Sequence, residues 1–170
     1  MDAKVIWMTG LSGAGKTTLA QALVNRLAAA GEQVYLLDGD TLRSGLNADL
    51  GFSAADRHEN VRRIGEVARL FFDQGYIVVV ACISPYQQSR MAVRQRIGSA
   101  HFLEIYLNTP LSVCESRDPK GLYGKVRRGE ISAFTGISAP YQTPQSAELV
   151  INTADRPVEQ CLNEIHQLLY

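Results

Sequence analysis

Residues 5–18 read VIWMTGLSGAGKTT: an apolar run, a loop with three glycines, then a lysine and two threonines opening an amphipathic pattern. Gly10 to Thr17 satisfies G-x-x-x-x-G-K-[ST], with a strand expected before it and a helix after it. Glycines let successive backbone N–H groups turn inward as an anion cradle, and the first turn of the helix adds its partly positive end. Gly10, Leu11, Ser12, Gly13, Ala14, Gly15, Lys16, Thr17 and Thr18 are therefore the expected binding set for a nucleoside triphosphate. In such a loop the lysine, here Lys16, reaches the β- and γ-phosphates, and the Thr17 hydroxyl is placed to ligate Mg2+.

Outward from this loop, short apolar runs alternate with longer amphipathic ones. Strands are expected at 4–9, 33–37, 76–81, 102–107 and 149–152, and helices at 16–30, 57–73, 85–97, 110–117 and 158–169. The alternation predicts an α/β, P-loop NTPase-like fold: a five-stranded parallel sheet with helices on both faces. The run YIVVVA at 76–81 suits a strand covered on both sides. Residues 118–144 break the pattern with four glycines, three prolines and four basic side chains. So long a segment without periodicity reads as an irregular, mobile lid. One domain, 1–170, is expected.

Composition narrows the function. Hydrophobic residues make up 46% of the 170, and 17 basic residues balance 17 acidic ones. No global field favours nucleic acid or a membrane surface, so an anion site must be a local cluster. Cys82, Cys114 and Cys161 are widely spaced and odd in number, which argues against a disulfide framework or structural zinc and for the cytoplasm. No apolar run approaches a membrane span, and the residues ahead of the loop are too few for a signal peptide.

A phosphate loop does not say where the phosphoryl group goes. The strand at 76–81 runs into Cys82-Ile83-Ser84-Pro85 without a carboxylate, and no guanine-reading N-K-x-D occurs. The acid comes instead from the end of the second strand, Asp38-Gly39-Asp40. Strand ends of a parallel sheet share one rim, so Asp40 is placed to hold Mg2+ or to accept a proton from an attacking hydroxyl. Asp40 also fits the N-cap of a helix starting at Thr41. Arg43, Arg57, Arg62 and Arg63 follow; Arg57 and Asn60, at i and i+3, share a helix face. Arginine forks suit phosphate or sulfate oxygens, whereas a charge run on a helix is commonly a solvated face. Phe52 stacks on a planar base or sits in the core. His58, His101 and His166 have no catalytic partner by spacing.

The segments "GLSGAGKTT", "LLDGDTLRSGLN", "LGFSAADRHENVRRIGEVARL", "ISPY", "CESRDPKGLYGKVRRGEI" and "FTGISAPYQTP" together resemble the adenylyl-sulfate (APS) kinase family over nearly the whole chain. The resemblance implies transfer of the ATP γ-phosphoryl group to the APS 3′-hydroxyl, giving 3′-phosphoadenylyl sulfate (PAPS), by a stand-alone cytoplasmic homodimer. It implies roles at matching positions: Asp40 as base or Mg2+ partner, Arg43, Phe52, Arg57 and Asn60 for APS, and Ile83-Ser84 for APS through the backbone. Ser84 also stands where parts of the family are described with a phosphoserine, a step direct in-line transfer does not need. Phe134 would sandwich the APS adenine against Phe52, and Arg117 would pack on the ATP adenine. Lys120 and Lys125 would reach phosphates from the lid, with Arg127 and Arg128 beside them. Gly124, where the family often has lysine or alanine, implies a looser lid. The alternatives are a P-loop kinase of another small anionic acceptor and a non-catalytic nucleotide-binding regulator.

Overall fold

All six residues of the strand Val5–Gly10 are buried, as a run covered on both faces requires. The computed structural model describes residues 1–170 and makes this strand, β1, the middle of a five-stranded sheet. The others are β2 (Val34–Asp38), β3 (Ile77–Ala81), β4 (Phe102–Leu107) and β5 (Leu149–Ile151), in the order β2-β3-β1-β4-β5. Every pairing is parallel, with Val5 of β1 in register with Val78 on one side and Phe102 on the other.

Parallel pairing requires crossover connections. Helices α1 (Lys16–Ala29), α3 (Ala54–Asp73) and α4 (Gln87–Ile97) provide most of them, and together with the C-terminal α7 (Val158–Leu169) they cover the two faces. Alternate residues of β1 separate the two cores. Ile6 and Met8 pack with Leu19, Leu23, Leu27 and Ile165 from α1 and α7. Val5 and Trp7 pack with Val61, Ile64 and Val93 from α3 and α4. β1, β2 and β3 therefore end together at Gly10, Asp38 and Ala81, on the rim where ligands of such sheets bind.

Three local expectations change. Helix α3 starts at Ala54 rather than 57, because the Ser53 hydroxyl accepts the Asp56 N–H at 3.1 Å and caps it. Helix α4 starts at Gln87 rather than 85, because Ser84 takes a left-handed φ of +42° and Tyr86 is extended. The segment expected to be irregular holds α6 (Leu122–Arg127), following α5 (Leu111–Arg117). Six residues carry too little periodicity to announce a helix. Asp118 supplies what the pattern lacks: its carboxylate accepts the N–H groups of Tyr123 and Gly124 at 3.0 Å each. Gly124 lies within this helix; a Cβ there would meet Arg128 Nη1 at 3.2 Å and the Asp118 carboxylate at 3.6 Å.

Candidate active site

The phosphate loop has the geometry its glycines imply. Gly13 has φ +79°, and a Cβ on it would lie 2.7 Å from the Cys114 carbonyl oxygen. Only glycine combines that dihedral with that approach. Lys16, the first residue of α1, is buried and its ammonium donates to the carbonyls of Gly10 at 2.9 Å and Leu11 at 2.7 Å. Burial lowers its pKa from 10.5 to about 8, against the raising influence of Cys82 and Asp40. The lid grips the loop from outside: Tyr123 is buried and its hydroxyl donates to the Ser12 carbonyl at 2.7 Å. Arg117 donates to the Gly13 carbonyl at 3.2 Å and, from both terminal nitrogens, to Thr153. With Gly15, Thr18 and Thr153 it lines a cavity of about 300 Å³ on the α7 side of the loop.

A larger cavity of about 580 Å³ opens on the other side. Lys16, Thr17 and Asp40 form one wall, Arg43, Phe52, Arg57 and Asn60 another, and Ile83, Ser84, Lys120 and Phe134 the rest. Arg43 lies over the Phe52 ring at 4.5 Å, and Arg57 at 5.6 Å. Neither arginine is ion-paired with a carboxylate, although the charges of Asp56 and Asp40 reach Arg43. Arg43 donates to the Gly51 carbonyl, and Arg57 to Phe52 O at 2.9 Å, to Thr135 Oγ1 at 2.6 Å and to Ala133 O. Burial holds both guanidiniums below their usual pKa, and for Arg43 the charge of Arg57 adds to the effect. Asn60 is buried, its side-chain oxygen accepting from Asn47 at 3.0 Å.

The two aspartates divide their work differently from the expectation. Asp38, not Asp40, caps the short helix α2 (Gly39–Arg43), accepting the Asp40 N–H at 2.9 Å and the Thr41 N–H at 3.3 Å. Its second oxygen accepts the Thr17 hydroxyl at 2.7 Å. Asp40 is left free of the cap, at the cavity wall, where its carboxylate pairs with Lys120 from the lid.

A phosphate loop facing a pocket of cations and an aromatic ring fits a small-molecule phosphotransferase. The model for the family described as adenylylsulphate kinase matches residues 2–152. The chain belongs to the adenylyl-sulfate kinase family. It is similar to the adenylyl-sulfate kinase of Geotalea daltonii, 56% identical over 161 residues that span 95% of this chain and 79% of that one. It is also similar to that of Shewanella sp. MR-4, 59% identical over 150 residues, 88% of this chain and 73% of that one. Among solved structures, a Mycobacterium tuberculosis APS kinase in complex with AMPPNP and APS superimposes with a TM-score of 0.92 at 47% identity, covering 99% of this chain and 98% of that one.

Most positions that the family resemblance singled out meet at this rim. Phe52 and Phe134 both line the larger cavity, Phe52 well exposed and Phe134 held by an edge contact with Tyr123 at 5.0 Å. Lys125 does not line it; it is exposed on α6. Arg127 and Arg128 pair with Glu115 and Glu130 instead. Ser84 is buried, its hydroxyl accepting from Trp7 Nε1 at 3.0 Å and donating to the Cys82 carbonyl at 3.4 Å, so both oxygen functions are engaged. Cys82 is buried, which pushes its thiol up to about 12. His58 stacks on Tyr86 at 4.5 Å and contacts the Ser89 hydroxyl. Tyr123 and Thr135 lie in the quoted segments but were given no role there. Asp38 had a motif to mark it, since the first Asp of D-G-D sits at the strand end, where a cap belongs.

Proposed function

We propose that this chain transfers the γ-phosphoryl group of ATP to the ribose 3′-hydroxyl of APS, releasing ADP and PAPS. The single observation that carries the reading is that the phosphate loop and the Arg43–Phe52–Arg57 pocket are two walls of one cavity. An acceptor held by those arginines lies beside a triphosphate on the loop. Its anionic end replaces the carboxylates that Arg43 and Arg57 lack. Its adenine lies between Phe52 and Phe134.

Lys16 and Lys120 neutralise charge that develops on the transferred group. Asp40 accepts the 3′-hydroxyl proton as the new O–P bond forms and the bond to the β-phosphate oxygen breaks. For this, Lys120 moves from the Asp40 carboxylate onto a phosphate oxygen, so binding of ATP frees the base. The Thr17 hydroxyl, which donates to Asp38, and the Asp40 carboxylate lining the same cavity are hard oxygen donors that would hold Mg2+. That ion, when bound, draws electron density from the phosphates. Arg117, in the smaller cavity, packs on the ATP base. The lid from 118 to 144 excludes water and so limits hydrolysis of ATP.

Three buried, unpaired cysteines suit a reducing compartment, and the cytoplasm is part of the proposal. No helix is long and apolar enough to cross a membrane. A homodimer is also proposed, checked by light scattering of the purified chain. Incubation with ATP, Mg2+ and APS tests the reaction: PAPS and ADP in equal amounts support it. ADP formed only with a sugar acid, or tight ATP binding without transfer, overturns it.

A further inference from the structure

Ser84 is a non-glycine residue at φ +42°, a conformation that L side chains avoid and that persists only where the surroundings over-determine it. The surroundings here converge on one residue outside the cavity. Arg90 of α4 is 1% exposed. One terminal nitrogen donates to the Ser84 carbonyl at 2.7 Å. The other donates to the Gln142 carbonyl at 2.6 Å and to Gln87 Oε1 at 2.8 Å. Its Nε lies 2.7 Å from the Glu104 carboxylate, and Glu104 is flanked by Arg94, which pairs with Glu148 at 2.7 Å.

The same few residues stitch the turn to the irregular segment at the end of the lid. The Gln142 N–H donates to the Pro85 carbonyl at 2.8 Å, and its side-chain oxygen accepts the Gln87 N–H at 2.9 Å. The Tyr141 hydroxyl donates to Thr9 Oγ1 at 2.8 Å, and Thr9 passes a hydrogen bond to the Ile83 carbonyl at 2.7 Å. Thus the turn 83–85, the lid's return at 141–142 and the residue just before the phosphate loop form one bonded unit, with Arg90 under it. A buried guanidinium is a poor source of stability compared with an apolar side chain of its size. Its fork, however, holds two carbonyls from different segments at a fixed spacing, which no apolar side chain does.

We infer that Arg90 is a positioning residue for acceptor binding. It fixes the backbone of the Ile83–Pro85 turn, which lines the cavity, and ties that turn to the lid's return. The inference rests on the reading of this cavity as the APS site. It predicts that loss of the fork disturbs acceptor binding and leaves the triphosphate side alone, since Arg90 has no bond to residues 10–18.

The test compares Arg90→Gln and Arg90→Lys with Glu104→Gln, which breaks the same ion pair but leaves both carbonyl contacts. Steady-state kinetics with ATP and APS are read together with fluorescence of Trp7, the single tryptophan, whose indole N–H is bonded to Ser84. Arg90→Gln should raise the KM for APS by about tenfold or more and the KM for ATP by less than about threefold. It should also shift Trp7 emission in the absence of substrate. Arg90→Lys, with one donor able to reach the Ser84 carbonyl, should recover part of both effects. Glu104→Gln should change the KM for APS by less than about threefold. The inference is overturned if a folded Arg90→Gln or Arg90→Lys keeps wild-type KM for APS and wild-type emission, or if Glu104→Gln matches them. A wild-type chain that makes no PAPS would defeat the proposed function instead, and the emission comparison would still decide whether Arg90 holds the turn.

Discussion

Replacing Lys16 by methionine should make the nucleotide-free protein more stable while abolishing transfer. Lys16 is 9% exposed, and its only hydrogen-bond partners are two loop carbonyls. Lowering its pKa from 10.5 to about 8 corresponds to about 3 kcal/mol of cost for keeping the charge in the folded state at neutral pH. Methionine removes that cost and keeps the stem's packing. The two carbonyls lose a donor, at about 1 kcal/mol together once water reaches them. The net gain is about 1–2 kcal/mol, or about 2–8 °C in Tm for a chain of this size. Because the folded-state pKa is below the unfolded one, the unfolded chain binds the extra proton between pH 8 and 10.5. Wild-type stability relative to the variant therefore rises with pH through that window, and the gap closes. Denaturant melts of both proteins at pH 7, 8.5 and 9.5 read this directly, with other titrating groups cancelling in the difference. ATP should stabilise the wild type and not the variant. A variant less stable than wild type at pH 7, with a gap independent of pH, would refute the account of a strained, charge-bearing loop.

Other substitutions separate the two halves of the site. Arg57→Ala removes two donors that tie the lid at 133–135 to α3; at about 1–1.5 kcal/mol each, APS affinity should fall by about 30- to 150-fold. Calorimetry should show ATP affinity changed by less than about threefold, and equal losses would move Arg57 out of the acceptor wall. Lys120→Met frees Asp40 but removes a cation from the transferred phosphoryl group, so kcat should drop by about 100-fold with the APS KM nearly unchanged. A rise in ATP hydrolysis per PAPS formed should accompany it. Asp38→Asn keeps an acceptor for the α2 cap and loses charge beside Thr17. The Mg2+ concentration for half-maximal rate should increase several-fold, and an unchanged requirement would exclude Asp38 from the ion's surroundings.

The sheet was legible because buried parallel strands write themselves as continuous apolar runs, and Val5–Gly10 and Ile77–Ala81 do so with almost no polar interruption. The phosphate loop was legible because its geometry excludes other residues: at Gly13 both the dihedral and the Cys114 carbonyl demand glycine. The lid was not. Its helix is six residues long, is capped locally by Asp118, and is held to the phosphate loop by a contact across the fold, Tyr123 to Ser12. Nothing local in 118–144 foretells the Ser12 contact. Arg90 was equally silent, since one of three arginines in a helix reads as surface until its burial is known.

The basic run after the second strand shows what the sequence leaves undecided and how the structure decides it. Arg43, Arg57, Arg62 and Arg63 are the same residue type on the stretch that follows β2, and any of them suits an anion. Arg62 and Arg63 each find Glu59 on their own helix, and Arg63 also finds Asp49, so their charges are already matched. Those partners raise the pKa of both, whereas burial lowers it at Arg43 and Arg57. A cation that is desolvated without an ion-pair partner is costly, and such groups concentrate where an anionic ligand binds. Lys16 obeys the same rule on the opposite wall. Three buried or half-buried cations without an ion-pair partner around one cavity are what two anionic substrates would require, and on the proposed mechanism Lys120, paired with Asp40, is the cation whose partner changes during the reaction.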